Sequence, residues 1–517
     1  MVAAATPNST ALGAAASAPA ARTSRPPVNK WLVTVSITFG TLMGTIDASI
    51  VNVALDHIRG TVGATLEEIT WVATGFTIAQ VLVMPLTAFL GRLFGQKRVY
   101  MASLVIFLVG SALCGIAGSF PQLVLFRAIQ GLGAGGVNPV ATTIVGDIYT
   151  LEERGRIQGV FSGIWAMASL VGPLLGGLIT DAFSWRWIFY LNIPFGLLSA
   201  VMLQRSMREE TRRSEHRLDI LGTVSLTAAV TLLLLALLEG PEVWGWSDPR
   251  TLGILAGSVA GFAVFFWQER RAPEPMLPLD LFRNRLISVA SAGNFLIGAL
   301  LFALTAYVPM FGQGVLGGSA VKAGTILAPI LLGWPIASAL AGRLLLQIDY
   351  RPMTIAGNVM VVAGATMLAF TGADTTGGWI MVSMMITGFG LGFVSMPYLL
   401  GVQNAVPWGR RGVATSTVQF FRNIGGAVAV AAMGALLNSR LHSIAGPGVD
   451  ANATLEPAVR ARLAPEALGK LTSALLYGIQ GTFYAIAALA VLGLFVALLF
   501  PRGSARSLMT EKDLERR

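Results

Sequence analysis

Three charged side chains lie inside long apolar runs, and they are the residues of this sequence best suited to do chemistry. Asp47 lies in "TLMGTIDASIVNVAL" (41–55), Arg127 in "LVLFRAIQGLGAGG" (123–136) and Arg422 in "FFRNIGG" (420–426). A carboxylate whose charge depends on burial and on a movable arginine can take up and release a proton. If the runs cross a membrane, Asp47 and Arg127 indicate proton transfer within it. For Arg422 two interpretations stay open: it faces a cavity, or it holds two parts of the bundle together.

The elements that hold these residues are predicted to be membrane helices. The chain has 517 residues, of which 54% are hydrophobic and only 12% are charged, whereas soluble domains are about 25% charged. Apolar stretches of about 20 residues, the length of a membrane-spanning helix, recur along the whole chain. The composition therefore predicts an all-α polytopic membrane protein and argues against a soluble globular one.

Fourteen transmembrane helices are predicted, and an even number places both termini on one side. Of the 36 Lys and Arg residues, 26 fall on that side and 8 on the other, so the positive-inside rule predicts cytoplasmic termini. The same rule explains the net charge of +10 without a nucleic-acid partner. The predicted spans are 31–55, 69–91, 99–118, 121–146, 158–180, 187–203, 219–239, 251–268, 286–310, 322–341, 353–372, 378–400, 412–435 and 476–500.

A weak internal repeat divides the chain into two halves. "LGRLFGQKRVYM" after helix 2 resembles "AGRLLLQIDYRPM" after helix 10, at the corresponding point of a six-helix unit. Parallel halves around a central cavity are a transporter architecture. We predict a disordered cytoplasmic tail (1–30), an N-terminal six-helix half (31–203), a cytoplasmic linker (204–218), two additional helices (219–268), a C-terminal six-helix half (269–500) with an external loop (436–475), and a cytoplasmic tail (501–517).

The depths of Asp47 and Arg127 allow them to pair. Asp47 lies 16 residues into an outward-running helix, and at about 1.5 Å per residue this places it in the outer half of the membrane. Helix 4 runs inward, so Arg127 also lies in the outer half. Pairing would offset the cost of about 2.5–3.5 kcal/mol for a carboxylate at the bilayer centre. Two interpretations stay open: a proton-coupling pair, or a static ion pair that fixes packing.

Four stretches make the sequence similar to the major facilitator superfamily, in particular to its fourteen-helix drug/proton antiporters of the EmrB/QacA type. These stretches are "IDASIVNVALDHI" (46–58), the helix 4 stretch around Arg127, "GIWAMASLVGPLLGG" (163–177) and "LGRLFGQKRVY" (90–100). "WRWIFYLNIPFG" (185–196) resembles the same subfamily. The resemblance implies the major facilitator fold, with two extra helices between the halves.

The resemblance also implies roles for individual residues. Arg127, with Gln130 and Gly131 of the helix 4 motif, would take part in proton transfer. Arg92 stands where the usual loop signature has an aspartate, so the acid of the usual latch between the halves is missing. The remaining candidates are Gly163, Gly172, Pro173, Gly176 and Gly177 of the helix 5 motif found in exporters, Gly91, Gly95, Lys97 and Arg98 of the loop signature, and Arg422 and Asn423 as a polar site in the second half.

The function implied by the resemblance is proton-coupled export of amphiphilic or hydrophobic small molecules from the cell through the inner (plasma) membrane. The proton gradient would drive it without a cofactor or metal; the single Cys114 excludes an internal disulfide and a multi-cysteine metal site. No G-x-x-x-x-G-K-[ST] sequence is present, which argues against ATP-driven transport. Expected partners are protons, the substrate and the lipid bilayer. Some relatives also work with a periplasmic adaptor and an outer-membrane channel, for which loop 436–475 is a candidate contact.

Two alternatives stay open at this point. In the first, the exported substrate is a lipid or an endogenous metabolite and not a drug, and the sequence does not separate these classes. The protein is alternatively a membrane sensor or scaffold that does not transport, although the intact Asp47, Arg127 and Gly172–Pro173 argue against this. An enzyme is not expected, because no nucleophile–base–acid set occurs within the spans.

Overall fold

The chain is helical throughout the residues that the computed structural model describes. These residues are 29–64, 66–69, 71–207, 219–240, 244–272, 275, 277–318, 320–445, 460 and 464–502, and they contain no strand. This confirms the predicted all-α fold class. The helices are α1 (Lys30–Val62), α2 (Leu66–Ile69), α3 (Trp71–Phe94), α4 (Gln96–Ile116), α5 (Phe120–Ile148), α6 (Leu151–Ala182), α7 (Arg186–Tyr190), α8 (Asn192–Ser206), α9 (Ile220–Glu239), α10 (Pro249–Glu269), α11 (Arg285–Met310), α12 (Ala320–Leu344), α13 (Tyr350–Ala369), α14 (Gly377–Asn404), α15 (Arg411–Ala445) and α16 (Pro465–Leu498).

Each predicted span overlaps one of the long helices, or the α7–α8 pair for span 187–203. Within the described residues, eleven segments are long and apolar enough to cross a membrane. Helix α3 contributes only a shorter apolar stretch, Trp71–Thr87. Helix α5 is not among the eleven segments. It buries the polar side chains of Arg127 and Gln130 inside the bundle, and such side chains lower the mean hydropathy of a helix. The count of fourteen crossings stays a prediction.

The buried apolar side chains form separate cores at the two ends of the chain. Two clusters are built from residues between Val33 and Met207. A larger cluster is built from residues between Leu281 and Phe500. Helices α9 and α10 join a fourth cluster with α3 and α15, which contains Val230, Phe265 and Phe420. The additional helix pair therefore packs against one helix from each end of the chain.

Helices α6 and α12 meet closely at the end of the bundle that is predicted to be cytoplasmic. A Cβ atom placed on Gly155 would overlap the Cα atom of Gly342. One turn along α6, a Cβ on Gly159 would lie 2.7 Å from the Cβ of Ala339, and one turn further a Cβ on Gly163 would lie 3.9 Å from Pro335. The two helices therefore diverge away from this end.

Buried polar contacts join the halves at the same end. Arg154 Nη1 on α6 donates a hydrogen bond of 3.2 Å to Asn404 Oδ1 at the end of α14. Asn404 Nδ2 donates in turn to the hydroxyl of Tyr350 at 2.9 Å, and all three side chains are buried. Close glycine packing and these hydrogen bonds hold the predicted cytoplasmic end closed.

Several predicted segments lie wholly or partly outside the described residues. The residues outside are 1–28 of the predicted tail 1–30, 208–218 of the predicted linker 204–218, and 503–517 of the predicted tail 501–517. In external loop 436–475, residues 446–459 and 461–463 are outside. Helix α15 continues to Ala445 and α16 begins at Pro465, so both flanks of the predicted loop are helical.

Candidate functional site

The carboxylate of Asp47 is fully buried on α1, at 0% exposure. Arg127 Nη1 donates to its Oδ2 atom at 2.7 Å. Gln130 Nε2 and Asn192 Nδ2 both donate to its Oδ1 atom, at 2.8 Å and 2.7 Å. An ionised carboxylate only accepts hydrogen bonds, so these three donors stabilise its charged form. The structure thus brings the two residues singled out by depth, Asp47 and Arg127, into a direct ion pair.

Arg127 has partners besides Asp47. The side chain is only 2% exposed; its Nε atom donates to the carbonyl of Val72 at 3.1 Å, and Nη1 also donates to Gln130 Oε1 at 2.7 Å. The guanidinium lies 4.1 Å from the ring centroid of Phe76, within the range of a cation–π interaction. Arg127 therefore retains contacts on α3 and α5 when its bond to the carboxylate is broken.

Ser111 on α4 connects the donors to one another. Its hydroxyl accepts from Gln130 Nε2 at 3.2 Å and from Asn192 Nδ2 at 2.9 Å, and it donates to the carbonyl of Phe189 at 2.8 Å. The network thus links α1, α4, α5, α7 and the start of α8. Sequence reasoning singled out neither Ser111 nor Asn192, although Asn192 lies in "WRWIFYLNIPFG" (185–196) as an amide in an apolar segment.

Glycine packing brings Arg127 into this position. A Cβ on Gly131 would overlap the carbonyl oxygen of Phe76, so only glycine allows α5 to approach α3 this closely. That approach places Arg127 within reach of the Val72 carbonyl. The "GLGAGG" stretch (131–136) is helical throughout, which agrees with a packing role and not with a dinucleotide-binding loop.

The helix 5 motif lies on α6, which runs as one helix through Pro173. A Cβ on Gly172 would overlap the hydroxyl of Ser49, two residues from Asp47, and Ser49 Oγ donates to the carbonyl of Ala168 at 3.2 Å. The motif therefore packs against α1 beside the buried carboxylate. Its other glycines lie elsewhere on α6: Gly163 faces Pro335, the Gly176 carbonyl accepts from Thr180, and a Cβ on Gly177 would meet no described atom within 4 Å.

The loop signature lies apart from Asp47, in the last residues of α3, the first residues of α4 and Gly95 between them. Gly95 adopts a φ of 89°, a left-handed conformation that favours glycine. Lys97 Nζ donates to the carbonyls of Gln204 and Met207 at the end of α8. Arg92 stacks on Phe89 at 5.3 Å. Of the other two signature residues, Gly91 packs against Gln96 and Arg98 is exposed.

The second-half candidates form no part of the Asp47 network. Arg422 and Asn423 are partly buried on α15. Asn423 Nδ2 donates to the carbonyl of Gln419 at 2.8 Å and lies 3.4 Å from the sulfur of Met84 on α3. Within the described part of the chain, no group of three or more His, Cys, Asp or Glu residues is placed to hold a metal ion.

Comparisons with known proteins agree with this fold. Residues 37–430 match the family model described as Major Facilitator Superfamily. The chain is 34% identical over 395 residues to "Multidrug transporter protein MdtP" of Bacillus subtilis (strain 168), across 76% of this chain and 73% of that protein. It is 35% identical over 402 residues to "Multidrug resistance protein 3" of the same strain, across 78% of each.

A solved structure shows the same arrangement of helices. The proton:xylose symporter XylE, bound to 6-bromo-6-deoxy-D-glucose, superposes with a TM-score of 0.62 at 14% identity, across 94% of this chain and 98% of that chain. At this identity the likeness concerns the fold alone. The family match and the extent of the bacterial relatives lead to one conclusion: this chain belongs to the major facilitator superfamily.

Proposed function

We propose that this protein is a proton-coupled antiporter that exports amphiphilic or hydrophobic small molecules by alternating access. The observation that carries the proposal is the fully buried Asp47 carboxylate, held by Arg127 and two amide donors. The names of two relatives, a multidrug transporter and a multidrug resistance protein, support a drug-like substrate. Membership of the fourteen-helix antiporter subfamily, an inner-membrane location and cytoplasmic termini are parts of the same proposal.

Protonation of Asp47 weakens its bonds with its surroundings. A neutral carboxyl group loses the negative charge that strengthens the hydrogen bonds from Arg127, Gln130 and Asn192. Arg127 can then move away. Arg127 keeps its contacts with the Val72 carbonyl and the ring of Phe76 when it moves away from Asp47, so the guanidinium still has binding partners. Proton binding at one carboxylate is thereby linked to side chains on two other helices, α5 and α8.

The transport cycle follows from this link. The proposed outward-facing form has its cytoplasmic end closed by the contact between Gly155 and Gly342. A proton from outside neutralises Asp47, the loaded protein turns inward as this contact separates, and the proton leaves to the cytoplasm. The substrate then binds and is carried out. The proton gradient supplies the driving force, and no cofactor is required.

The proposal is tested in everted membrane vesicles that take up a fluorescent amphiphilic dye. We expect uptake to stop when nigericin collapses the pH gradient and to continue when valinomycin collapses only the membrane potential. Vesicles without the protein provide the background rate. Uptake that requires ATP but persists without a proton gradient would rule the proposal out, as would the absence of uptake for a broad panel of amphiphiles.

Asn192→Ala should slow transport driven by a pH gradient. The substitution removes one of the three donors that hold the Asp47 carboxylate, and a hydrogen bond to a charged group contributes about 1.5–3 kcal/mol. We expect dye uptake into everted vesicles to fall about tenfold. Asn358→Ala is the matched control, because Asn358 is buried on α13 and donates to its own helix, and it should leave uptake unchanged. Uptake by Asn192→Ala at the wild-type rate would show that Asn192 does not act on Asp47.

Gly155→Ala should weaken the closed cytoplasmic end. The added methyl group overlaps Gly342, whereas Gly163→Ala, on the same helix, meets its nearest neighbour at an ordinary 3.9 Å. Accessibility is measured with a membrane-impermeant maleimide at Ser416→Cys, a buried position on α15, in a Cys114→Ala background. We expect Gly155→Ala to raise labelling from the cytoplasmic side severalfold and Gly163→Ala to leave it unchanged. Equal labelling of both variants would contradict the proposed gate.

A periplasmic adaptor and an outer-membrane channel stay candidate partners. Of the external loop proposed as their contact, the structure describes the helical flanks, α15 up to Ala445 and α16 from Pro465, and residues 460 and 464. Affinity purification after crosslinking in a host with two membranes tests the proposal. An adaptor recovered with the full chain and lost when 446–463 is replaced by a Gly/Ser linker is the expected result.

A further inference from the structure

A second intramembrane arginine, Arg422, lies near the middle of α15. This helix begins at Arg411, so Arg422 lies roughly 16 Å along it at about 1.5 Å per residue. The hydrocarbon core of a bilayer is about 30 Å thick. Arg422 therefore lies about half-way through the membrane, too deep for its charge to reach either headgroup region along the lipid.

The side chain of Arg422 faces the interior of the bundle. Residues three and four positions apart on a helix share one face, and the neighbours of Arg422 at these spacings, 418, 419, 425 and 426, are all buried. Gly298 on α11 packs directly against the Arg422 backbone. The next residue, Asn423, contacts Met84 on α3 of the first half. The part of Arg422 that is exposed thus lies between the two halves and not toward lipid.

Arg422 differs from Arg127 in lacking a counter-charge. Among the described residues it makes no ion pair or side-chain hydrogen bond, and Asp47 is already bound to Arg127. The sequence contains no Asp or Glu between Asp280 and Asp349, between Asp349 and Asp374, or between Asp374 and Asp450. These intervals hold five of the six long helices of the second half, so none of those five can supply a carboxylate. An arginine stays charged at any physiological pH, and an unpaired charge inside a membrane is costly.

We propose that Arg422 binds the anionic group of the transported amphiphile. A carboxylate or sulfonate would accept two parallel N–H bonds from the guanidinium, while its apolar body lies between the halves, beside the contact of Asn423 with Met84. This inference rests on the proposed export function and narrows its substrate class to amphiphiles with one negative charge. It also assigns separate places to the two ligands: the proton on α1 and the substrate anion on α15.

Equilibrium binding to the purified full-length protein in phosphatidylcholine nanodiscs tests the inference. The probes are pyrenebutyrate and pyrenebutanol, which share an apolar body and differ in charge, and binding is followed by energy transfer from tryptophan with empty nanodiscs subtracted. The variants are Arg422→Gln, Arg422→Lys and the control Arg440→Gln. Arg440 lies at the outer end of the same helix, stacked on Tyr477 at 5.1 Å.

We expect the wild type to bind pyrenebutyrate at least about tenfold more tightly than pyrenebutanol. Arg422→Gln should abolish this preference while its affinity for pyrenebutanol is unchanged, which also shows that the variant is folded. Arg422→Lys should keep part of the preference, because it retains the charge without the bidentate geometry. Arg440→Gln should behave as the wild type does.

Three results would overturn the inference: no preference for the anion in the wild type, the same preference in Arg422→Gln, or loss of the preference when chloride replaces gluconate at physiological concentration. The last result would assign Arg422 to a small inorganic anion. Because binding is measured without a gradient, failure of proton-coupled transport leaves this test intact, and a protein that transports but shows no anion preference fails this test alone.

Discussion

We expect Asp47→Asn to abolish transport driven by a pH gradient and to leave exchange of substrate for substrate intact. An asparagine has nearly the same shape as an aspartate and keeps one oxygen to accept from the surrounding donors, but it cannot take up a proton. The variant should therefore bind the substrate and exchange it across the membrane without coupling to protons. Dye uptake into everted vesicles should fall to the level of vesicles without the protein, whereas counterflow in preloaded proteoliposomes should continue.

The matched control for this loss is Asp280→Asn. Asp280 undergoes the same chemical change, but its ion pair with Arg410 is about half exposed, and exposed pairs contribute little. Both activities should stay near wild type in this variant. If Asp47→Asn instead keeps normal gradient-driven uptake, the Asp47–Arg127 pair is static and only fixes the packing of α1 against α5.

Removing the charge of Asp47 should lower the stability of the protein more than removing the charge of Arg127. Asp47→Asn leaves the Arg127 guanidinium its contacts with Val72 and Phe76 but no counter-charge, and breaking a buried pair in this way costs about 3–5 kcal/mol. Arg127→Gln leaves a carboxylate that can become neutral by taking up a proton, so it should destabilise the protein less. The double variant removes both charges and should recover most of the stability lost in Asp47→Asn.

Thermal unfolding of the purified variants in one detergent measures this order. The expected midpoints fall from the wild type through the double variant and Arg127→Gln to Asp47→Asn. A double-mutant cycle gives the coupling between the two side chains. Additive effects of the two single substitutions would contradict a direct energetic link, despite the 2.7 Å distance between Arg127 Nη1 and Asp47 Oδ2.

The pairing of Asp47 with Arg127 could be predicted from the sequence, because the rise per residue of a helix converts residue number into depth in the membrane. A rise of about 1.5 Å per residue and the alternating direction of the spans place both residues in the outer half. The amide of Asn192 and the hydroxyl of Ser111, which complete the site, could not be predicted in this way. A single uncharged polar residue in an apolar helix looks the same in the sequence whether its side chain binds a distant carboxylate or a carbonyl of its own helix. Asn358, which donates to the Thr354 carbonyl on its own helix, is an example of the second case.

The boundaries of the helices show a related limit. Helix α6 begins at Leu151, before the predicted start at residue 158, because hydropathy detects only the apolar part of a helix. Its first turn carries charged residues and a capping box between Thr150 and Glu153, a signal that the T-x-x-E spacing contains. Contacts between the halves, such as that of Arg154 with Asn404, join residues far apart in the chain, and no local pattern reports them.

Proton movement driven by a substrate gradient tests the central claim most directly. Proteoliposomes hold the transported dye and a pH indicator, begin without a pH difference, and have their membrane voltage clamped with potassium and valinomycin. As the dye leaves, the lumen of wild-type proteoliposomes should become acidic, because each exported molecule is exchanged for inward-moving protons, and the lumen of Asp47→Asn proteoliposomes should not. Dye efflux from the wild type without a change in lumenal pH, or with alkalinisation, would contradict proton antiport at Asp47.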